Sequence, residues 1–348
     1  MLLLLALLLA PVFRVDVPSP TADKPQSKIW FAQGVWWAWL PVQGGSSIWR
    51  RGEDGVWIRQ TMLDEALRGT PGRADVWAEE RRVCAVLVDE RRLAFACLEW
   101  RGDGYSLARR PVEILIEGRL ETATLARDGR GEWWIAYGLG RQMWVRTSRD
   151  GWRRAAQVSA TAATEDDICA IVAVGGGVGV IWSDQAADTV WFRWRRDGAP
   201  QWGPIEAIDQ GGKTADDHIR ASVSADGRLL VAMKNSVDRV GVPQLVLRER
   251  SPAGKWSSRP YAPRTSDGEP TRPAVLLGGV PERTFLLHSR YTKTGSELVR
   301  WEEGREVVLL PVRGLNDITG PKARLPAGHP WIVLASDRDG NLYEALLR

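Results

Sequence analysis

Cysteine, histidine and long apolar runs are scarce in this chain, and each scarcity removes a class of protein. Three cysteines in 348 residues, Cys84, Cys97 and Cys169, are too few and odd in number for a disulfide scaffold, and none stands in C-x-x-C spacing. The three histidines, His218, His288 and His329, lie far apart, and there is no EF-hand loop, so no metal and no other cofactor is expected. Asp216-Asp217 and Asp166-Asp167 could bring oxygens together for calcium, yet solvated acidic pairs are the simpler reading. No apolar run reaches the roughly 20 residues of a membrane helix. Charge of one sign is also missing: 47 Lys and Arg stand against 43 Asp and Glu, a net +4. The basic pairs Arg81-Arg82, Arg109-Arg110 and Arg153-Arg154 are scattered, whereas a nucleic-acid binder gathers them into a stripe, so no nucleic-acid partner is expected. Finally, no stretch of ten or more residues keeps helical spacing with caps.

Tryptophan is abundant: 19, against 5 Phe and 5 Tyr. Such a chain needs many places where a large flat ring can be packed between layers, and a repeated fold supplies them once per repeat. A repeat is present. Glycine-ending turns occur at Asp54-Gly55, Asp103-Gly104, Asp150-Gly151, Asp197-Gly198, Ala253-Gly254 and Glu303-Gly304, with successive glycines 49, 47, 47, 56 and 50 residues apart. Asp-Gly between two β-branched or aromatic runs marks a hairpin, because glycine reaches the positive φ of a tight turn. Around each turn the same segments recur, most plainly Trp133-Trp134-Ile135-Ala136-Tyr137, then Met143-Trp144-Val145-Arg146, then the turn. Upstream lies one further strand-like segment, introduced by Lys28, Arg73, Thr122, Asp167, Asp217-His218, Arg272 or Asp317, seven in all.

Four short strands repeated seven times predict an all-β fold, a seven-bladed β-propeller of four-stranded antiparallel blades around a central channel. The seventh copy stops one strand short, so residues 13–17 are expected to close the ring. Residues 1–13 are apolar and uncharged, the length of a signal-peptide core or the remnant of a membrane anchor, which predicts a secreted or envelope protein that meets a membrane only through this segment. Residues 14–348 form the single propeller domain. If Glu90-Arg91 is a two-residue hairpin loop, Cys84 and Cys97 face each other closely enough for a bridge; as free thiols they serve as small core residues, and that second reading is taken.

The turns Ser148-Arg149-Asp150-Gly151-Trp152 and Arg196-Asp197-Gly198 with Trp202 resemble degenerate Asp-boxes, the Ser-x-Asp-x-Gly-x-x-Trp hairpins of sialidase-like and BNR-repeat propellers. The resemblance covers residues 24–348. In that family the Asp-box is structural, its Asp capping turn amides and its Trp packing. Sialidase chemistry would imply three arginines on a substrate carboxylate, for which Arg73, Arg220 and Arg272 are the candidates, with a Tyr-Glu nucleophile pair. The family's Arg-Ile-Pro is missing, and Glu297 lies one strand beyond Tyr291.

A glycoside hydrolase or lyase would draw a carboxylate pair from Asp166, Asp167, Asp216, Asp217 and Asp317, although Asp at a strand start commonly caps backbone amides. His218 offers a ligand donor or proton carrier, or a satisfied structural residue. Gly175 to Gly179 lies between strands and reads as a turn, and no serine has Gly-x-Ser-x-Gly context. Trp36, Trp37, Trp39, Trp133 and Trp134 could stack sugars, but neighbours in a strand point to opposite faces and most are expected in the core. The reading is a binding module for a glycan or other polar ligand, with a protein partner as a further option. Its funnel candidates are Lys28, Arg73, Thr122, Asp167, Asp217, His218, Arg220, Arg272 and Asp317; the enzyme is the alternative.

Overall fold

The computed structural model describes residues 10–22 and 24–347, so residues 1–9 of the expected export or anchor segment lie outside the described residues. Seven antiparallel sheets form the ring. Blade 1 is Ile29–Ala32, Val35–Val42, Gly45–Arg51 and Trp57–Arg59, from the channel outward. The innermost strands of blades 2 to 7 are Arg73–Ala78, Ala123–Arg127, Cys169–Ala173, Ile219–Val223, Gly268–Gly278 and Leu315–Thr319. Each expected glycine turn joins the third strand of its blade to the fourth. In blade 2 the left-handed residue is Gly102, at φ +70°, because Gly104 already begins the outer strand. That outer strand is split into Gly104–Leu107 and Val112–Ile114, which gives this blade a fifth strand.

The ring closes as expected. Phe13–Arg14 pairs antiparallel with Asn341–Leu347, with Phe13 opposite Leu342, and so becomes the outer strand of blade 7. Only two residues of the 13–17 segment are in strand. The Phe13 ring then lies 4.5 Å from Trp49 and 5.5 Å from Trp57, which ties blade 7 to blade 1.

The core lies between blades. Trp37 packs toward blade 2 with Trp30, Trp39 and Tyr105, whereas its neighbour Trp36 packs toward blade 7. Trp133 and Trp134 divide in the same way between the interfaces with blades 2 and 4. Period-two alternation puts adjacent side chains on opposite faces, and in a propeller both faces are covered. A ring of this size buries ~200 Å², a gross gain of about 5 kcal/mol. These five tryptophans are all buried, which removes them as sugar platforms.

One sequence expectation is corrected. Cys84 and Cys97 stand directly opposite each other in neighbouring strands of blade 2 and are joined by a disulfide. Directly opposed residues of neighbouring strands are close enough to bridge, and that register is set by a turn centred on Glu90-Arg91. Cys169 is a buried free thiol, its pKa pushed up to about 12 by burial.

Candidate functional site

Between the closing strand and blade 1, the chain passes across the centre of the ring. Thr21 hydrogen-bonds Ser336 and donates to the Asp317 carbonyl at 2.6 Å. Gln26 donates to the Ala123 carbonyl of blade 3 at 2.9 Å and accepts from Arg220 of blade 5. Ser27 donates from its backbone N–H to Asp75 of blade 2 at 2.8 Å and from its hydroxyl to the Gly320 carbonyl after blade 7 at 2.6 Å. Four blades thus grip the stretch from Lys24 to Ser27, which lies across the channel. The mouth, where inner strands begin, is on one side of it; a second chamber is on the other.

The mouth is acidic. Carboxylate oxygens of Glu121, Asp166 and Asp217 come within 4.8 Å of one another, and so do ligand atoms of Asp216, Asp217 and His218. The expected absence of a metal therefore meets two donor sets of suitable type. The first already carries the Lys24 ammonium, paired with Asp217 and 3.4 Å from Glu121. A divalent cation would have to displace that amine. In the second set His218 Nδ1 lies 2.5 Å from Asp216 and 2.7 Å from Asp217, while Nε2 faces the Thr271 hydroxyl at 3.4 Å. Two carboxylates facing Nδ1 place the proton there. Burial lowers the His218 pKa below 6.5, outweighing the Asp216 hydrogen bond that raises it.

Beside this cluster, over blades 2 to 4, is a cleft of about 590 Å³. Arg73, Thr122 and Asp167 from the funnel set line it. Glu90, Glu117, Glu121, Glu165 and Asp166 also line it, so six carboxylates face Arg73, Arg119 and Arg141. No aromatic ring is in the wall among the described residues; its apolar floor is Leu120, Leu139, Met143 and Ile168. Thr122 is 2% exposed and its hydroxyl finds no partner among the described residues. Asp167 is committed locally, accepting from Thr164 N at 2.7 Å, the Thr164 hydroxyl at 2.9 Å and Gln185 N at 3.1 Å. That is the capping role expected of an Asp at a strand start.

The other funnel candidates lie elsewhere. Arg272 sits at a bulge in its strand, at φ +48°, and is paired with Asp317 at 3.1 Å and bonded to the Tyr291 hydroxyl. Lys28 is fully buried, donating to Gln26 Oε1 at 2.7 Å and to the Ala74 carbonyl. Arg220 faces the second chamber, away from the mouth. Arg73, Arg220 and Arg272 therefore do not converge on one ligand position: Arg73 lines the cleft, Arg220 faces the second chamber and Arg272 is taken up by Asp317 and Tyr291. Tyr291 donates to Asn316 at 3.2 Å, while Glu297 is paired with Arg290, so the Tyr-Glu arrangement is not formed.

Sequence reading missed Lys24, Gln26, Asp75, Glu121 and Lys322. Asp75 carried a signal, as a charge within an apolar strand. The others sit in connections, where nothing local announces a contact several blades away.

No family model matches this chain, and no curated protein does. Among solved structures, a prolyl endopeptidase is similar at 12% identity over 96% of this chain and 51% of its own, with a TM-score of 0.50. Prolyl oligopeptidase B from Galerina marginata is similar at 9% identity, over 93% of this chain and 48% of its own, also at 0.50. A polysaccharide lyase aligns at 9% identity over 93% of this chain and 90% of its own, with a TM-score of 0.48. This chain spans about half the length of the two peptidases. At these identities the likeness shows the propeller fold alone.

Proposed function

We propose that this protein is a non-catalytic binding propeller that takes a glycan, or another polar ligand rich in hydroxyl or amino groups, into the cleft over blades 2 to 4. The cleft carries this reading: about 590 Å³ lined by six carboxylates and three arginines from neighbouring blades. Carboxylates accept hydrogen bonds from hydroxyls and ammonium groups, and their excess over arginine disfavours an anionic ligand. The carboxylate-holding role that sialidase chemistry would imply for Arg73, Arg220 and Arg272 has no support here, because Arg272 is occupied by Asp317 and Tyr291 and Arg220 faces the second chamber.

The neighbouring ring acids support binding over hydrolysis. Asp167 caps backbone amides, Asp217 holds Lys24 and Asp317 holds Arg272. A glycosidase needs one carboxylic acid kept protonated near neutral pH. Asp216 moves the other way: burial raises its pKa, but His218 and Lys234 outweigh that and leave it below the ordinary 3.8.

Kinship with the Asp-box propellers is part of the proposal. Asp150 accepts from the backbone N–H of Arg153 at 3.2 Å and of Arg154 at 3.1 Å, and Trp152 is buried against Phe95, as that turn requires. Export to an oxidising compartment is supported by the Cys84–Cys97 disulfide.

The test is a glycan-array screen of the full-length chain, followed by mass analysis of every retained sugar. Intact retention, weakened about tenfold or more in Glu165→Gln/Asp166→Asn by loss of hydrogen bonds to charged groups, supports the binder. Release of a shorter sugar makes it an enzyme, and binding unchanged in the double variant moves the ligand out of this cleft.

A further inference from the structure

Below the crossing segment, where the inner strands end, lies a chamber of about 80 Å³. Arg220, Lys322, Thr124, Ser222 and Trp77 line it, together with apolar residues of the blade 4 inner strand. Its charge is opposite to that of the mouth. Arg220 is 4% exposed; Nη1 donates to the Gln26 carbonyl and Nη2 to the Gly320 carbonyl at 2.8 Å. A guanidinium has five N–H groups, so three are left without an acceptor among the described residues. Lys322 donates to Asp75 and to the Leu125 carbonyl. Asp75 is already accepting from Ser27 N at 2.8 Å and Leu125 N at 2.6 Å. Asp317, the other carboxylate acting on Arg220, is paired with Arg272. Among the described residues the chamber wall thus carries two cationic side chains, Arg220 and Lys322, and no carboxylate.

A buried charge without a counter-ion is strongly unfavourable. Burial lowers Arg220 to about 10, against the opposing pull of Asp75 and Asp317, and lowers Lys322 against that of Asp75. Thr124 adds a donor: its hydroxyl oxygen accepts from Ile171 N at 3.0 Å, and its proton has no acceptor among the described residues.

We propose that this chamber binds a small monovalent anion, a halide or the carboxylate of a small acid, held by Arg220 and Lys322 with Thr124 as a further donor. The volume fits an ion of a few heavy atoms and is too small to hold a whole sugar acid. A planar carboxylate gains from the guanidinium fork, whereas a halide responds only to charge. This site is separate from the cleft, and either can fail without the other.

The experiment compares thermal melts of the full-length protein in sodium chloride, sodium formate and sodium gluconate at equal ionic strength. Gluconate is the anion too large to be held whole in the chamber. Chloride or formate at about a hundred times its Kd is expected to raise Tm by roughly 3 to 6 °C over gluconate. Formate above chloride identifies a carboxylate site, and the reverse a halide site. Lys322→Met is expected to lose most of the difference, and Arg220→Lys, which keeps the charge and loses the fork, to lose any preference for formate. Crystals soaked in bromide give a readout independent of variant folding, with an anomalous peak expected between Arg220 and Lys322. Equal Tm in all three salts, an undiminished anion effect in Lys322→Met, or, where chloride outranks formate, no bromide in the chamber would overturn the proposal.

Discussion

Two buried histidines make stability depend on pH in a definite direction. His218 and His288 are both lowered below 6.5, burial being the largest cause in each. The unfolded chain therefore takes up protons first, so their contribution is complete above about pH 6.5 and is lost as pH falls through the native values. Thermal melts from pH 8 to pH 5 should show a falling Tm, with a shallower fall in His288→Gln. The cysteines give a second expectation. Alkylation of the denatured, unreduced protein should label one thiol, Cys169, and reduction should expose the other two. Cys84→Ser/Cys97→Ser opens a bridge of sequence separation 13 and should cost about 3 kcal/mol in chemical denaturation. The Cys84–Cys97 register could be read from the chain, but whether the pair is oxidised could not, because a small buried thiol fits the same position.

At the scale of elements, the two connections near the N-terminus matter most. The closing strand contributes only Phe13–Arg14, so much of its hold rests on the Phe13 ring against Trp49 and Trp57. Phe13→Ala should cost about 2 kcal/mol, less than a fully buried Phe because the residue is partly exposed, and should speed unfolding. The crossing segment places Lys24 among Glu121, Asp166 and Asp217. Lys24→Met leaves those carboxylates without that cation and should cost about 2 kcal/mol near neutral pH, between the values for exposed and buried pairs. Part of that loss should return at about pH 4, where the acids take up protons; an equal loss at both pH values would deny Lys24 this electrostatic role.

At the scale of the molecule, seven blades share one plan and differ in what they turn toward the axis. The crossing segment divides that axis into an acidic mouth and a basic chamber. The exposed pair Glu165 and Asp166 supplies part of the mouth's acidity. Glu165→Gln/Asp166→Asn should therefore melt within about 0.5 kcal/mol of the parent chain, which separates a binding defect from a folding one.

The ring itself was legible in the chain. Turn glycines near a 48-residue period, strand-like segments between them and paired tryptophans determine blade number, strand order and the closing strand, because each is fixed by local backbone preference and period-two alternation. Arg73, Thr122 and Asp167 were readable as mouth residues for the same reason. Tertiary structure decided the rest. Lys24, Gln26 and Lys322 act on blades distant in sequence, Arg220 is drawn to the chamber by the Gln26 and Gly320 carbonyls, and Arg272 is turned aside by a bulge. Local pattern sets which face of a strand a residue occupies; which charges meet at the axis depends on how the blades are brought together in the closed ring.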